Sequence, residues 1–85
     1  MLIEFYGAEC IHCMRMAPHI KKLEESGFEI ERAEVWHNQE NAKKMEKYDN
    51  GSCGGVPFFI NTETGEKICG EASFEELEKW AKGKR

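Results

Sequence analysis

The chain opens on a short apolar run, Leu2-Ile3-Glu4-Phe5-Tyr6, and helical periodicity takes over at Cys10. Apolar on both faces except at Glu4, residues 1–6 read as a strand in a central, buried position. From Cys10 to Ser26 the residues Cys13, Met16, Ala17, Ile20 and Leu23 recur at the spacing of one helix face, and Gly27 supplies a stop. Pro18 falls inside this helix, removes one backbone bond and predicts a kink. Phe28 to Val35 reads as a second strand. Two strands joined through a helix should run parallel with a right-handed crossover, which leaves few sheets open to this chain.

The remainder extends that unit. Asn38 suits the N-cap of a short helix over 39–48 with Ala42, Met45 and Tyr48 inward, and Asp49 to Gly55 is a loop by composition. Val56 to Asn61 reads as a third strand, and the turn Thr62-Glu63-Thr64-Gly65 leads into an antiparallel partner over Glu66 to Cys69. Ser73-Phe74-Glu75-Glu76 is a capping box, after which Phe74, Leu77, Trp80 and Ala81 form the apolar face of a last helix. The expected fold class is α/β, with the order β-α-β-α-β-β-α and a four-stranded mixed sheet flanked by three helices. At 85 residues the chain reads as one domain, residues 1–85, with room for one modest core.

Composition removes several classes of function. A hydrophobic share of 40% with 33% charged residues describes an ordered globular chain. The net charge of −4 offers no basic patch, so nucleic acid is not an expected partner. No apolar stretch approaches the roughly 20 residues that span a bilayer, so no membrane is expected. Met1 runs almost directly into the first strand, which leaves no room for a signal peptide and makes the cytoplasm the expected compartment. Structural disulfides are rare there, so the four cysteines read as catalytic, redox-sensing or metal-binding.

Cys10-Ile11-His12-Cys13 places two thiols at the N-terminal end of the first helix, where free N–H groups and the helix dipole favour negative charge. The thiolate is the reactive form of cysteine, so the chemistry suggested is thiol–disulfide exchange. The plainer alternative is a helix that merely begins with two cysteines. An imidazolium at His12 would stabilise a neighbouring thiolate and make the pair more oxidising; an exposed histidine without effect is the other reading.

Taken together, the Cys-x-x-Cys after the first strand, Pro18 five residues past its second cysteine, Gly55-Val56-Pro57-Phe58-Phe59 and Gly70 before the last helix resemble the thioredoxin/glutaredoxin superfamily in its short form. The resemblance covers nearly the whole chain. It implies that Cys10 is the exposed attacking thiolate and Cys13, one turn further on the buried face, the resolving thiol. It also implies that Pro57 is a cis-proline, that Val56 before it offers backbone bonds to a bound peptide, and that Gly55, Cys69 and Gly70 lie on the substrate surface. Glu4 matches the family's buried acid, which could take the proton of Cys13 through water, and Arg32 falls where a paired cation is expected. Burial should raise the carboxyl's pKa and an ion pair pull it back; a purely structural pair, or an exposed strand end, are the competing readings.

The chain also departs from that pattern. Glu9 stands where the family has a tryptophan, and its charge should oppose thiolate formation at Cys10. Trp36 reads first as a half-buried core residue and second as a replacement aromatic surface, and Tyr6 keeps an aromatic ring where the family has another tryptophan. Cys53, in the glycine-rich loop before Pro57, and Cys69 should gather with the dithiol at one edge. They read as inert packing thiols, as a second disulfide or redox pair, or as half of a four-thiolate metal or Fe–S site. His19 and His37 read as isolated surface residues. Lys79, Lys82, Lys84 and Arg85 fit the charge preference of a helix C-terminus and a solvated tail; Met14 and Met16 beside the dithiol could form a soft apolar contact surface, but Met16 is at core spacing.

The expectation is therefore a small monomeric dithiol–disulfide oxidoreductase acting on protein disulfides, without a metal or organic cofactor and fed by a reductase or a low-molecular-weight thiol. A glutathione-dependent, glutaredoxin-like enzyme is the nearest alternative, although no basic residue adjoins Cys10. A four-cysteine metal or cluster carrier is the alternative from another class.

Overall fold

The computed structural model describes residues 1–83; Lys84 and Arg85, part of the expected basic tail, lie outside it. Its elements are β1 (Leu2–Tyr6), α1 (Ile11–Glu25), β2 (Ile30–Glu34), α2 (Gln39–Asp49), β3 (Phe58–Asn61), β4 (Lys67–Cys69) and α3 (Phe74–Lys82). They form one sheet in the order β2-β1-β3-β4. β1 runs parallel to β2, with Glu4 opposite Arg32, and antiparallel to β3, with Glu4 opposite Phe59. β4 pairs antiparallel with β3 and brings Cys69 opposite Phe58.

Strand alternation sorts the core into two layers. Leu2, Ile30 and Phe59 pack with Met16, Ile20 and Leu23 of α1 and Leu77, Trp80 and Ala81 of α3. Ile3, Phe5, Ala33, Phe58 and Ile60 point the other way and pack with Met45 of α2. By the same alternation Glu4 shares the α1/α3 side with Leu2. Trp80 meets Phe59 edge-on, with ring centroids 5.5 Å apart, and Phe5 stacks on Phe58 at 6.0 Å.

The ends of the elements follow local chemistry. Cys10 caps α1, its Sγ accepting from the Cys13 N–H, and Asn38 caps α2 through the Asn41 N–H. Ser73 and Glu76 close a reciprocal capping box on α3. Asn50, at φ 53°, ends α2 in the left-handed conformation that asparagine tolerates. α1 runs on helically through Pro18, which sits on its exposed side. β3 starts at Phe58 rather than Val56, because Pro57 has no N–H to give a ladder. Asn61 is buried and pins the C-terminal part of α3 to the hairpin: its Nδ2 donates to the Trp80 carbonyl at 3.0 Å, and its Oδ1 accepts from the Glu63 N–H at 3.0 Å. Nothing in the sequence pattern singles that residue out. Among the described residues no helix is long and apolar enough to cross a membrane.

Candidate active site

The loop from Gly7 to Cys10 delivers two sulfurs to the start of α1. Cys10 and Cys13 are joined in a disulfide, with Cα atoms 5.2 Å apart. The Cys10 Sγ accepts from the Cys13 N–H at 3.1 Å and lies 3.9 Å from the Val56 carbonyl oxygen. The Val56–Pro57 peptide is cis, and the Gly70 N–H donates to the Pro57 carbonyl at 2.8 Å. The Val56–Pro57 segment therefore lies beside the Cys10 sulfur, and Gly70 is hydrogen-bonded to that segment. One expectation is corrected: Cys10 is only 5% exposed, close to the 2% of Cys13. The disulfide and the overlying Val56 segment cover it.

Glu4 is fully buried, and its Oε1 accepts from Arg32 Nε at 2.7 Å, which rules out an exposed strand end. The Arg32 guanidinium also lies 4.4 Å from the Tyr6 ring centre, so one cation serves both groups. Glu4 Oε2 has no hydrogen-bond partner among the described residues. Burial pushes this carboxyl above its ordinary 4.5; Arg32 pulls it down by charge and hydrogen bond, Glu24 pushes it up, and the net direction is upward.

The sign of the resulting pH dependence follows. The unfolded chain releases this proton near 4.5 while the folded chain holds it more tightly, so the contribution to stability is complete below 4.5 and is lost as pH rises through the folded value. We expect Glu4→Gln to raise the melting temperature at neutral pH, with the gain shrinking toward zero in acid. A loss of stability at neutral pH would mean that the pair with Arg32 outweighs burial.

Around the dithiol the charges are paired in ways the sequence did not disclose. His12 Nδ1 lies 2.6 Å from Glu71 Oε2, and Arg15 donates to the same oxygen at 3.3 Å. The hydrogen bond from His12 above all, then Arg15, holds the Glu71 carboxyl below its usual range despite some desolvation. Any imidazolium at His12 is thus offset by an adjacent carboxylate. Glu9, beside Cys10, contacts His37 Nε2 at 2.7 and 2.9 Å, so His37 is exposed but not isolated, and the bond raises its pKa. His19 is half-buried against Phe74, with ring centroids 6.0 Å apart, rather than free on the surface.

Trp36 is corrected as well: it is 52% exposed, not a core residue. Its indole covers Gly7, where a Cβ would overlap the ring atoms, so the ring needs a glycine beneath it. Glu34 stitches the same region by accepting from the N–H groups of Ala8, Trp36 and His37 at 2.8, 3.1 and 2.8 Å. Desolvation pushes its carboxyl up, but those bonds outweigh it and leave the pKa lowered. Trp36, Ile11 and Met14 are all more than half exposed, two of them on the first turn of α1.

Cys53 and Cys69 are joined in a second disulfide, with Cα atoms 5.6 Å apart, so they are not inert packing thiols. Register explains the pairing: Cys69 lies opposite Phe58 and shares its α2-side face, where Cys53 packs. The loop carrying Cys53 is shaped by Asp49, missed as a candidate although an aspartate before Asn-Gly-Ser is a turn signal. Its Oδ1 accepts from the Cys53 N–H at 2.6 Å and the Ser52 hydroxyl at 3.1 Å, and its Oδ2 from the Gly54 N–H at 2.7 Å. Burial pushes this carboxyl up; those bonds, with Lys67 nearby, leave it below its usual value. Among the described residues no three histidine, cysteine or acidic side chains gather as a metal-binding group.

Comparison with known proteins places the chain in a family. The family model described as Thioredoxin matches residues 1–83. Among solved structures, a glutaredoxin from Archaeoglobus fulgidus superposes with a TM-score of 0.69 at 20% identity, covering 93% of this chain and 83% of that one. The oxidised form of mitochondrial thioredoxin 3 from Saccharomyces cerevisiae superposes with a TM-score of 0.66 at 26% identity, covering 95% of this chain and 74% of that one. No curated protein matches. The match of the family model over almost the full length shows that the chain belongs to the thioredoxin family.

Proposed function

We propose that this chain is a thiol–disulfide oxidoreductase that exchanges the Cys10–Cys13 couple with disulfides of other proteins. The observation that carries the reading is the placement of Cys10: at the cap of α1, one turn from a buried partner sulfur and against the Val56 carbonyl. The cap favours a thiolate at Cys10 once the pair is reduced. That thiolate attacks one sulfur of a substrate disulfide and the other sulfur leaves as a thiolate. Cys13 then attacks Cys10, releasing the second substrate thiol and re-forming the Cys10–Cys13 bond. Two electrons pass to the substrate, and a reductase or a low-molecular-weight thiol restores them.

Supporting roles follow from position. Val56 and Pro57, with Gly55 and Gly70 alongside, align the substrate backbone. Glu4, with its raised pKa and unpartnered oxygen, accepts the Cys13 proton through water. His12 is held by Glu71 and tunes the couple only weakly.

The test is a trap. Cys13→Ser should halt the cycle at the mixed disulfide and leave substrate protein covalently attached to Cys10 on non-reducing electrophoresis and by mass. Adducts of glutathione alone, with no protein captured, would favour the glutaredoxin-like alternative. No adduct at Cys10 would remove exchange at this pair.

A further inference from the structure

The two disulfides differ in what can reach them. Cys10 and Cys13 are both buried, whereas Cys69 is exposed and Cys53 half-buried. Cys69 ends β4, a three-residue strand at the sheet edge, and among the described residues only β3 pairs with it. By residue exposure the second pair is the more open of the two to an incoming thiolate in the resting fold. We propose that Cys53–Cys69 is a second thiol–disulfide exchange centre, entered at Cys69 by low-molecular-weight thiols from solvent.

The surroundings favour a bond that opens and closes without unfolding. When it breaks, the Cys53 loop keeps the three hydrogen bonds from Ser52, Cys53 and Gly54 to Asp49. Cys69 keeps its ladder position opposite Phe58, and the Gly70 N–H keeps the Pro57 carbonyl. Both thiols thus stay near one another, so re-closure is intramolecular and benefits from a high effective concentration. The Cys53 sulfur lies 3.4 Å from the Gly55 carbonyl oxygen, which accepts from the thiol once it is protonated.

The electron count is that of ordinary exchange. A thiolate attacks Cys69 Sγ, the Cys53–Cys69 bond breaks, and Cys53 leaves as a thiolate that takes a proton from solvent. A second thiolate attacks the external sulfur of the mixed disulfide and frees Cys69. Two small thiols become one small disulfide, and the protein gains a dithiol. Run backwards, the same disulfide re-oxidises the pair.

The experiment equilibrates the folded wild-type chain in glutathione buffers of graded thiol-to-disulfide ratio. It then quenches in acid, alkylates under denaturing conditions and reads each cysteine by peptide mass. Cys53 and Cys69 should label together along a smooth two-electron curve that is the same from the reduced and the oxidised side. With limiting thiol, their label should appear before that of Cys10 and Cys13. A Cys53–Cys69 bond that stays closed at every ratio in the folded chain, and opens only when denaturant is present during equilibration, would overturn the proposal. The C10S/C13S double variant, if folded, gives the same curve without the first couple. Loss of trapping at Cys10 leaves this result untouched, so the two readings fail separately.

Discussion

Replacing Cys10 by Ser is expected to lower turnover of a protein disulfide by roughly three orders of magnitude or more, the scale seen when a nucleophile is removed. Oxygen cannot stand in for the sulfur, because no disulfide can form through it. The variant should still fold, since Ser is among the best N-cap residues and can accept from the Cys13 N–H as Cys10 does now. Reduction of insulin disulfides with dithiothreitol as donor, corrected for the uncatalysed rate, measures the effect. A Cys10→Ser chain as active as the wild type would move the activity away from the capped pair, and Cys69 would be the next sulfur to examine.

Trp80→Ala should cost about 3–5 kcal/mol of folding stability, read as a shift of the urea midpoint. The side chain is fully buried between α3 and the sheet, against Phe59, and its removal opens a cavity in the α1/α3 layer. For a domain of this size such a loss threatens folding itself. Trp80→Phe keeps an aromatic ring in place and gives up only part of the volume. The indole Nε1 has no partner among the described residues, so Phe gives up no hydrogen bond and should cost clearly less. Equal losses for Ala and Phe would show that the core does not use the volume a phenyl ring restores.

What the sequence made legible was whatever depends on near neighbours. The shift from strand to helical period at Cys10, the cap at Asn38 and the box at Ser73–Glu76 each lie within a few residues, and all appear as read. The buried acid and its cation were legible only through the family resemblance; parallel pairing then sets Glu4 opposite Arg32. What failed depends on distant contacts. The Val56 carbonyl that covers Cys10 is 46 residues away in sequence, and the Glu9–His37 contact spans 28. Trp36 read first as a half-buried core residue; its ring instead lies over Gly7, where any side chain would collide with it. The fate of Cys53 hung on strand parity, since a slip of one position in β4 would turn Cys69 to the opposite face.

The Cys53–Cys69 link is separated by 16 positions and encloses the proline segment, all of β3 and the exposed 62–65 turn in a closed ring. A protease that cut that turn would leave one molecule, not two, for as long as the crosslink holds. The central hairpin is thereby protected from being lost in pieces, and the protection lapses in a strongly reducing cell.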